Sequence, residues 1–294
     1  MQKNYLLSTN FQWQVIESLL TCKRKPKWEL RKIWEAMCYV TRTGCQWRLV
    51  PPCYAPWQTV YWYFRKWTLE GVIETAHHRL RTALRKKKGK NESASVGIID
   101  SASVRMSSIS GHQRGIDGNK KIKGSKRHII VDTMGLIICL SVHAANIHDS
   151  KGAKEVFEKL YEIRHDHERL EKIFADGAYQ GELGQWLKEK LNLDMEIVKR
   201  NESDKWEVLP KRWIVERTFA WLMNFRRLVM DYERTTESVE SYIYIAMIMI
   251  MGKTLFGKWN TLNTVSGTKV NSNFCSVWGY GIFNKELFKL ARFC

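Results

Sequence analysis

No two cysteines in this 294-residue chain stand at the C-x-x-C spacing of a zinc site, and the seven present (Cys22, Cys38, Cys45, Cys53, Cys139, Cys275, Cys294) are an odd number. That count suits reduced thiols better than a disulfide framework and argues against structural zinc. Long apolar runs are missing too. The longest, Tyr242 to Met251, falls short of the roughly 20 residues a bilayer-spanning helix needs, so it is read as a core helix. Met1 to Ser8 lacks the charged-then-apolar pattern of a secretion signal, and a cytoplasmic protein without a membrane partner is expected. Acidic side chains are the remaining shortage. Thirty Asp and Glu against 48 Lys and Arg leave a net charge of +18 and a pI near 9.6, which points to a polyanionic partner, nucleic acid before membrane.

With 44% hydrophobic and 27% charged residues, the chain has enough apolar surface for a core and for two domains. The charge is uneven: residues 1–90 hold 18 basic and 5 acidic side chains, so 18 − 5 = +13 of the total lies there. Aromatics are interleaved with that charge at Trp57, Tyr61, Trp62, Tyr63, Phe64 and Trp67. Apolar residues recur at helical spacing from Phe11 to Leu20 and from Trp28 to Val40, with Gly44 as a stop. Pro51, Pro52 and Pro56 then break the chain, and Pro56 opens a third helix that Gly71 ends. Helix, break, helix with Gln58, Tyr61, Arg65 and Lys66 outward predicts a small, all-helical, helix-turn-helix-like DNA-binding domain. The basic linker Arg85 to Ser93 closes it, giving a first domain over residues 1–92.

After the linker the periodicity changes. Strands are expected up to Asp100, from His128 to Asp132 and from Leu136 to Val142, the last two joined by the turn Thr133-Met134-Gly135. A helix opens at Asp149-Ser150-Lys151 and runs through Ile163, a strand reaches Ala175, a helix spans Glu182 to Lys190, and a short strand covers Met195 to Val198. The helix of Glu216 follows. The order βββαβαβα is that of the ribonuclease H fold, so residues 93–251 are read as an α/β, mixed-sheet catalytic domain.

Two of those strands end in an aspartate. Val96-Gly97-Ile98-Ile99-Asp100 and Ile173-Phe174-Ala175-Asp176 are apolar runs with a carboxylate at the carboxyl end, where open α/β sheets bind ligands. Each has a plainer reading, as a turn cap. Glu216 stands among Arg212, Arg217, Arg226 and Arg227, with a plainer reading as an i, i+4 ion pair to Arg212. On a helical wheel Arg212, Glu216, Ala220, Met223 and Arg227 share a face. Three carboxylates brought together cannot stay unpaired, and hard divalent cations are their natural partners. The connection Ser101 to Arg127 is glycine-rich first and densely basic afterwards, at Lys120, Lys121, Lys123, Lys126 and Arg127, and suits phosphate contacts. His143 and His148 are expected on the polar surface.

These blocks resemble the DDE transposases of bacterial insertion sequences, the insertion-sequence-5 family within the insertion-sequence-4 group. The likeness spans roughly residues 20 to 251 and rests on Gly44-Cys45-Gln46-Trp47-Arg48, Ile99-Asp100-Ser101, Asp117 to His128, Ala144-Ala145-Asn146-Ile147-His148-Asp149, Ala175-Asp176-Gly177-Ala178-Tyr179 and Arg212 to Leu222. The resemblance implies that Asp100, Asp176 and Glu216 are the catalytic and metal-binding residues, that two Mg²⁺ ions (or Mn²⁺ in their place) are held there, and that double-stranded DNA is both substrate and target. It also implies assembly of a dimer or larger on paired terminal repeats, in the nucleoid. Arg212, Arg226, Arg227 and the cluster from Lys120 to Arg127 would hold phosphates. Two positions depart from the group's pattern: Leu209 stands where a Tyr is expected and Met223 where a Lys or Arg is, so Arg226 or Arg227 is expected to take the basic role. Residues 252–294 lie outside the resemblance and are read as an atypical C-terminal extension of unknown structure, either genuine or translated out of context. A nuclease that cuts without joining, and a catalytically decayed DNA-binding repressor, remain alternatives.

Overall fold

The computed structural model describes residues 10–20, 27–111, 114–198 and 212–256. The core is a six-stranded mixed sheet of β1 (Val96–Arg105), β2 (Gly115–Asp117), β3 (Ile122–Val131), β4 (Ile137–Ala144), β5 (Lys172–Ala175) and β6 (Asp194–Ile197). β1 is central, antiparallel to β3 and parallel to β5, and β5 is parallel to β6. β4 and the three-residue β2 both pair with β3, β2 at Ile122 to Gly124 and β4 from Ser125 onward. β2 is the one strand the sequence did not predict. The expected order of the others holds, and the architecture is ribonuclease H-like.

Alternation along the strands sorts side chains onto two faces. Ile99, Ile130, Ile138 and Ile173 pack under α5 (Asp149–Glu162) and α6 (Leu183–Leu191). Ile98, Ile129, Val131 and Phe174 pack against α7 (Arg212–Met223) and α9 (Thr236–Phe256). Between these two helices lies the short α8 (Arg226–Val229), so the predicted helical face does not run through to Arg227: the chain breaks at Asn224 and Phe225.

The helices α1 (Asn10–Leu19), α2 (Leu30–Thr43), α3 (Trp57–Leu69) and α4 (Val72–Lys87) precede the sheet. Gly44 ends α2 at φ +70°, and a Cβ there would lie 3.2 Å from the Arg226 backbone, so the stop is also a contact with α8. These helices pack on α9, whose residues from Tyr242 to Met249 are all buried. A helix apolar all round must be enclosed. Here it is enclosed from both sides: Tyr242 stacks on Phe64 with ring centroids 4.7 Å apart, the Tyr244 hydroxyl donates to Glu74 at 2.9 Å, and Val142 donates its N–H to Glu240 at 3.1 Å. Arg85 reaches from α4 to Asp132, just after β3, at 2.5 Å with both side chains buried. Element type changes between α4 and β1, but the hydrophobic core is continuous across that change. α9 extends to Phe256; residues 257–294, nearly all of the expected extension, lie outside the described residues. No helix among the described residues is long and apolar enough to cross a membrane.

Candidate active site

Asp100 lies mid-sheet on β1, on the face it shares with Ile98, toward α7. Its Oδ1 accepts the N–H of Ser101 at 2.7 Å. Burial is the main force on this carboxyl and pushes its pKa up to about 7; the Ser101 amide opposes the rise, Asp176 and Glu216 add to it, and Arg212 opposes it again. The expected end of the first strand at Asp100 is corrected, since β1 runs on to Arg105; Asp100 is mid-strand, and Asp176, just past the end of the neighbouring β5, Glu216 and Arg212 act on it there. Beside them Ile98, Ile99, Phe174, Ala175, Val198 and Arg212 surround a narrow gap with no room for a water molecule.

Asp176 follows β5 directly and accepts the Ala178 N–H at 3.0 Å, capping the single helical turn Gly177–Tyr179. Its turn-making reading is thus also true, and does not compete with a place in the site. Glu216 is held by Arg212, whose Nε and Nη2 both lie 3.0 Å from Oε1. α7 itself is pinned to the β3–β4 turn: Thr218 donates to the Gly135 carbonyl at 2.8 Å and Arg217 to the Met134 carbonyl at 2.9 Å. Arg217 is also sandwiched by the Trp213 and Trp221 rings, 4.6 and 4.7 Å from their centroids.

As the side chains stand, no three His, Cys, Asp or Glu among the described residues converge closely enough to hold one ion. Glu216 is turned onto Arg212 and Asp176 onto the Ala178 amide. The donor set nonetheless fits a hard divalent cation, because it is three carboxylates in one another's field and one of them cannot ionise in the ordinary carboxylate range.

The predicted phosphate-binding cations divide into two groups. Lys120 and Lys121 are exposed on the turn from β2 to β3, and Lys123 is exposed at the start of β3. Asp117 shapes that turn, accepting the N–H groups of Asn119 and Lys120 at 3.0 and 3.1 Å and the Ser103 hydroxyl at 2.5 Å. Arg212 is half-buried and Arg226 exposed. Lys126, Arg127 and Arg227 are a correction, because each is buried and occupied. Lys126 donates to the Ile147 carbonyl at 3.0 Å and pairs with Asp149 at 3.0 Å. Arg127 donates to the Leu228 carbonyl at 2.8 Å and to Asp231 at 3.0 Å. Arg227 pairs with Glu233 at 2.5 Å. Strand alternation and distant carboxylates removed them from the surface that the basic run suggested. Met223 is exposed, and of the two arginines expected to stand in for a basic residue there, only Arg226 faces solvent. Leu209 lies outside the described residues.

His143 is a second correction: it is 6% exposed and stacked on His128, with its Nε2 2.7 Å from His128 Nδ1. His148 is exposed and caps α5 through Ser150. In the expected DNA-reading helix α3, Gln58 and Tyr61 are exposed as predicted, whereas Arg65 and Lys66 are half-buried; Trp62, 55% exposed, is the larger outward surface.

The sequence model described as "Transposase DDE domain" matches residues 91–251, and that described as "Putative transposase of IS4/5 family" matches residues 9–77. Over 143 residues the chain is 29% identical to the "Putative transposase for insertion sequence element IS402" of Burkholderia cepacia, covering 47% of this chain and 64% of that relative. Among solved structures, it is similar to the Mos1 mariner paired end complex with Mn (9% identity, 83% of each chain, TM-score 0.31) and to the Mos1 strand transfer complex (11% identity, 80% of this chain and 78% of that one, TM-score 0.32). Since the DDE domain accounts for more than half of its length, from the linker before β1 to within α9, this chain belongs to the DDE transposase family.

Proposed function

We propose that the chain is a DNA transposase that hydrolyses the ends of an insertion sequence and joins the freed 3′-hydroxyl to target DNA. The observation that carries this reading is Asp100: a carboxyl on the central strand, desolvated, in the field of Asp176 and Glu216, with its rise to about 7 as the physical sign of a cation-hungry cluster. Asp100, Asp176 and Glu216 are the catalytic residues of this reading and would hold divalent cations, Mg²⁺ or Mn²⁺. Such ions lower the pKa of an attacking water and steady a leaving 3′ oxygen.

The chain's own part begins with rigidity. β1 fixes Asp100 between two neighbouring strands, and the capped turn after β5 fixes Asp176. Glu216 is the adjustable member, since it must turn away from Arg212 to join them. Arg212, so released, is free to bind phosphate beside the carboxylates, with Lys120, Lys121, Lys123 and Arg226 as further contacts. In the first step a water oxygen bonds to phosphorus as the P–O3′ bond breaks, leaving a 3′-hydroxyl. In the second, that hydroxyl attacks a target phosphodiester, so one P–O bond forms and one breaks without a high-energy cofactor. Binding of the element's end by the helices up to α4, and pairing of two chains on two ends, complete the proposal.

The test is incubation with Mg²⁺ and a labelled duplex bearing the element's end, with cleaved and joined products resolved separately. Cleavage with joining is expected. Cleavage alone would make the protein a nuclease, and retention of DNA without either product would make it a repressor.

A further inference from the structure

Ser101 touches two carboxylates through two different atoms. Its backbone N–H donates to Asp100 Oδ1 at 2.7 Å, and its hydroxyl donates to Asp149 Oδ1 at 2.8 Å. Consecutive strand residues point to opposite faces, so Asp100 faces α7 while Ser101, with Ile99, faces α5. The second carboxylate therefore grips the strand from behind the proposed active site.

Asp149 is well placed for a fixed grip. It is the first residue of α5, and the same Oδ1 pairs with Lys126 at 3.0 Å. Lys126 is anchored in turn on the Ile147 carbonyl at 3.0 Å. Beneath them, His143 Nδ1 lies 2.9 Å from the Ala144 carbonyl, which can only accept; Nδ1 therefore carries the proton, and His143 Nε2 accepts from His128 Nδ1. The first turn of α5 sits directly on this pair, since a Cβ on Gly152 would come within 2.2 Å of His143 Nε2. The helix start can neither slide nor lift without breaking several bonds. Nothing in the proposed chemistry uses Asp149 or Lys126, yet Asp149 bonds the residue next to Asp100 and Lys126 bonds Asp149.

We propose that Asp149, with Lys126, is a positioning residue for Asp100, acting through Ser101. The Ser101 peptide is the lever: fixing its side chain fixes the amide that orients the Asp100 carboxylate, and so sets the metal affinity of the site. This rests on the reading of Asp100 as a metal ligand.

The test uses the full chain and Mn²⁺ as the probe, with binding followed by electron paramagnetic resonance alongside Mg²⁺-dependent cleavage and thermal unfolding. Ser101→Ala and Asp149→Ala are expected to weaken Mn²⁺ binding by about 10-fold or more, the usual loss when a partner of a metal ligand is removed. Ser101→Thr, which keeps the hydroxyl, is expected to retain wild-type affinity, and the double variant to be no worse than Ser101→Ala alone. Ser101→Ala carries the test even where Asp149→Ala fails to fold, because it removes one oxygen from a strand held on both sides. Wild-type Mn²⁺ affinity in Ser101→Ala, with only the melting temperature lowered, would overturn the inference and leave the metal site standing. Absence of Mn²⁺ binding by the unaltered protein would overturn both.

Discussion

Asp100 on β1 and Asp132 just after the adjacent β3 are treated oppositely. Asp132, just after β3, is fully buried, receives Arg85 at 2.5 Å, and accepts the N–H groups of Met134 and Leu136 at 2.8 and 3.0 Å. Asp231 has Arg127, Asp149 has Lys126, Glu233 has Arg227 and Glu240 has Lys159. Asp100 and Asp176 each have a backbone amide and, among the described residues, no cationic side chain within ion-pair distance. A buried carboxylate is costly unless paired. Where the chain uses one to join elements it supplies the cation itself; Asp100 and Asp176, both half-buried, have none, and under the proposed function a divalent cation takes that place.

The sharpest break of that contrast is at the unpaired pair. Asp100→Asn or Asp176→Asn is expected to lower DNA cleavage about 10³-fold or more, roughly 4 kcal/mol at ~1.4 kcal/mol per factor of ten, with DNA retention unchanged in a filter or mobility assay. Asp100→Asn should also raise the stability of the metal-free protein, by about 1 kcal/mol, since it removes a desolvated charge. Cleavage that survives either change would end the assignment.

Asp132→Asn should do the reverse. It strands the Arg85 charge and is expected to cost about 3–5 kcal/mol in urea denaturation, with cleavage by the folded fraction preserved. A cost near zero would show that this pair does not join α4 to the sheet. Next in size is the exposed turn. Replacing Lys120, Lys121 and Lys123 together by Ala should reduce the slope of log affinity against log salt by about 0.9 for each phosphate no longer neutralised, leaving stability within about 0.5 kcal/mol. The same replacement made at buried Arg127 is expected to unfold the protein instead.

Acidification probes the join between the helices and the sheet. His167 lies against Arg81 of α4, and burial, with Arg81 and His78 adding to it, pushes its pKa down to about 3. The unfolded chain takes up a proton below about 6.5, the folded one only near 3. The stabilisation is therefore complete above pH 6.5 and lost as pH falls from there toward 3, by up to about 1.4 kcal/mol per pH unit. His167→Gln should flatten that slope in denaturation curves taken across the range. The smallest effect on stability is at Glu216: its pair with Arg212 is partly exposed, so Glu216→Gln should change stability by no more than about 0.5 kcal/mol, although it abolishes cleavage as fully as the two aspartate changes.

The element order was legible because each strand and helix carries its own period and most turns their own Gly or Pro. β2 was not, since three residues in a glycine-rich segment have no period to read. The three proposed catalytic carboxylates stood out by pattern, two after apolar runs and one alone among cations; that β1 runs on past Asp100 to Arg105 was not legible, because its continuation, Ser101 to Arg105, carries no apolar run to read. Lys126 and Arg127 were misread because a run of basic residues looks like surface from within the run; Asp231, which takes Arg127 inside, lies 104 residues further on. His143 was misread as a surface group for the same reason, its partner being on another strand. The Ser101 to Asp149 bridge crosses 48 residues, and the only trace of it was the block ending in Asp149.

The enclosure of α9 between the early helices and the sheet bears on the order in which the protein can be made. Phe64 and Trp67 are synthesised in the first quarter of the chain, and the helix that covers them is the last of the described segments. Such contacts carry a high sequence separation, which slows folding and leaves apolar surface waiting. Until residue 256 has cleared the ribosome, the early helices have no finished core to join, so a chain broken off before α9 is expected to leave them unfolded.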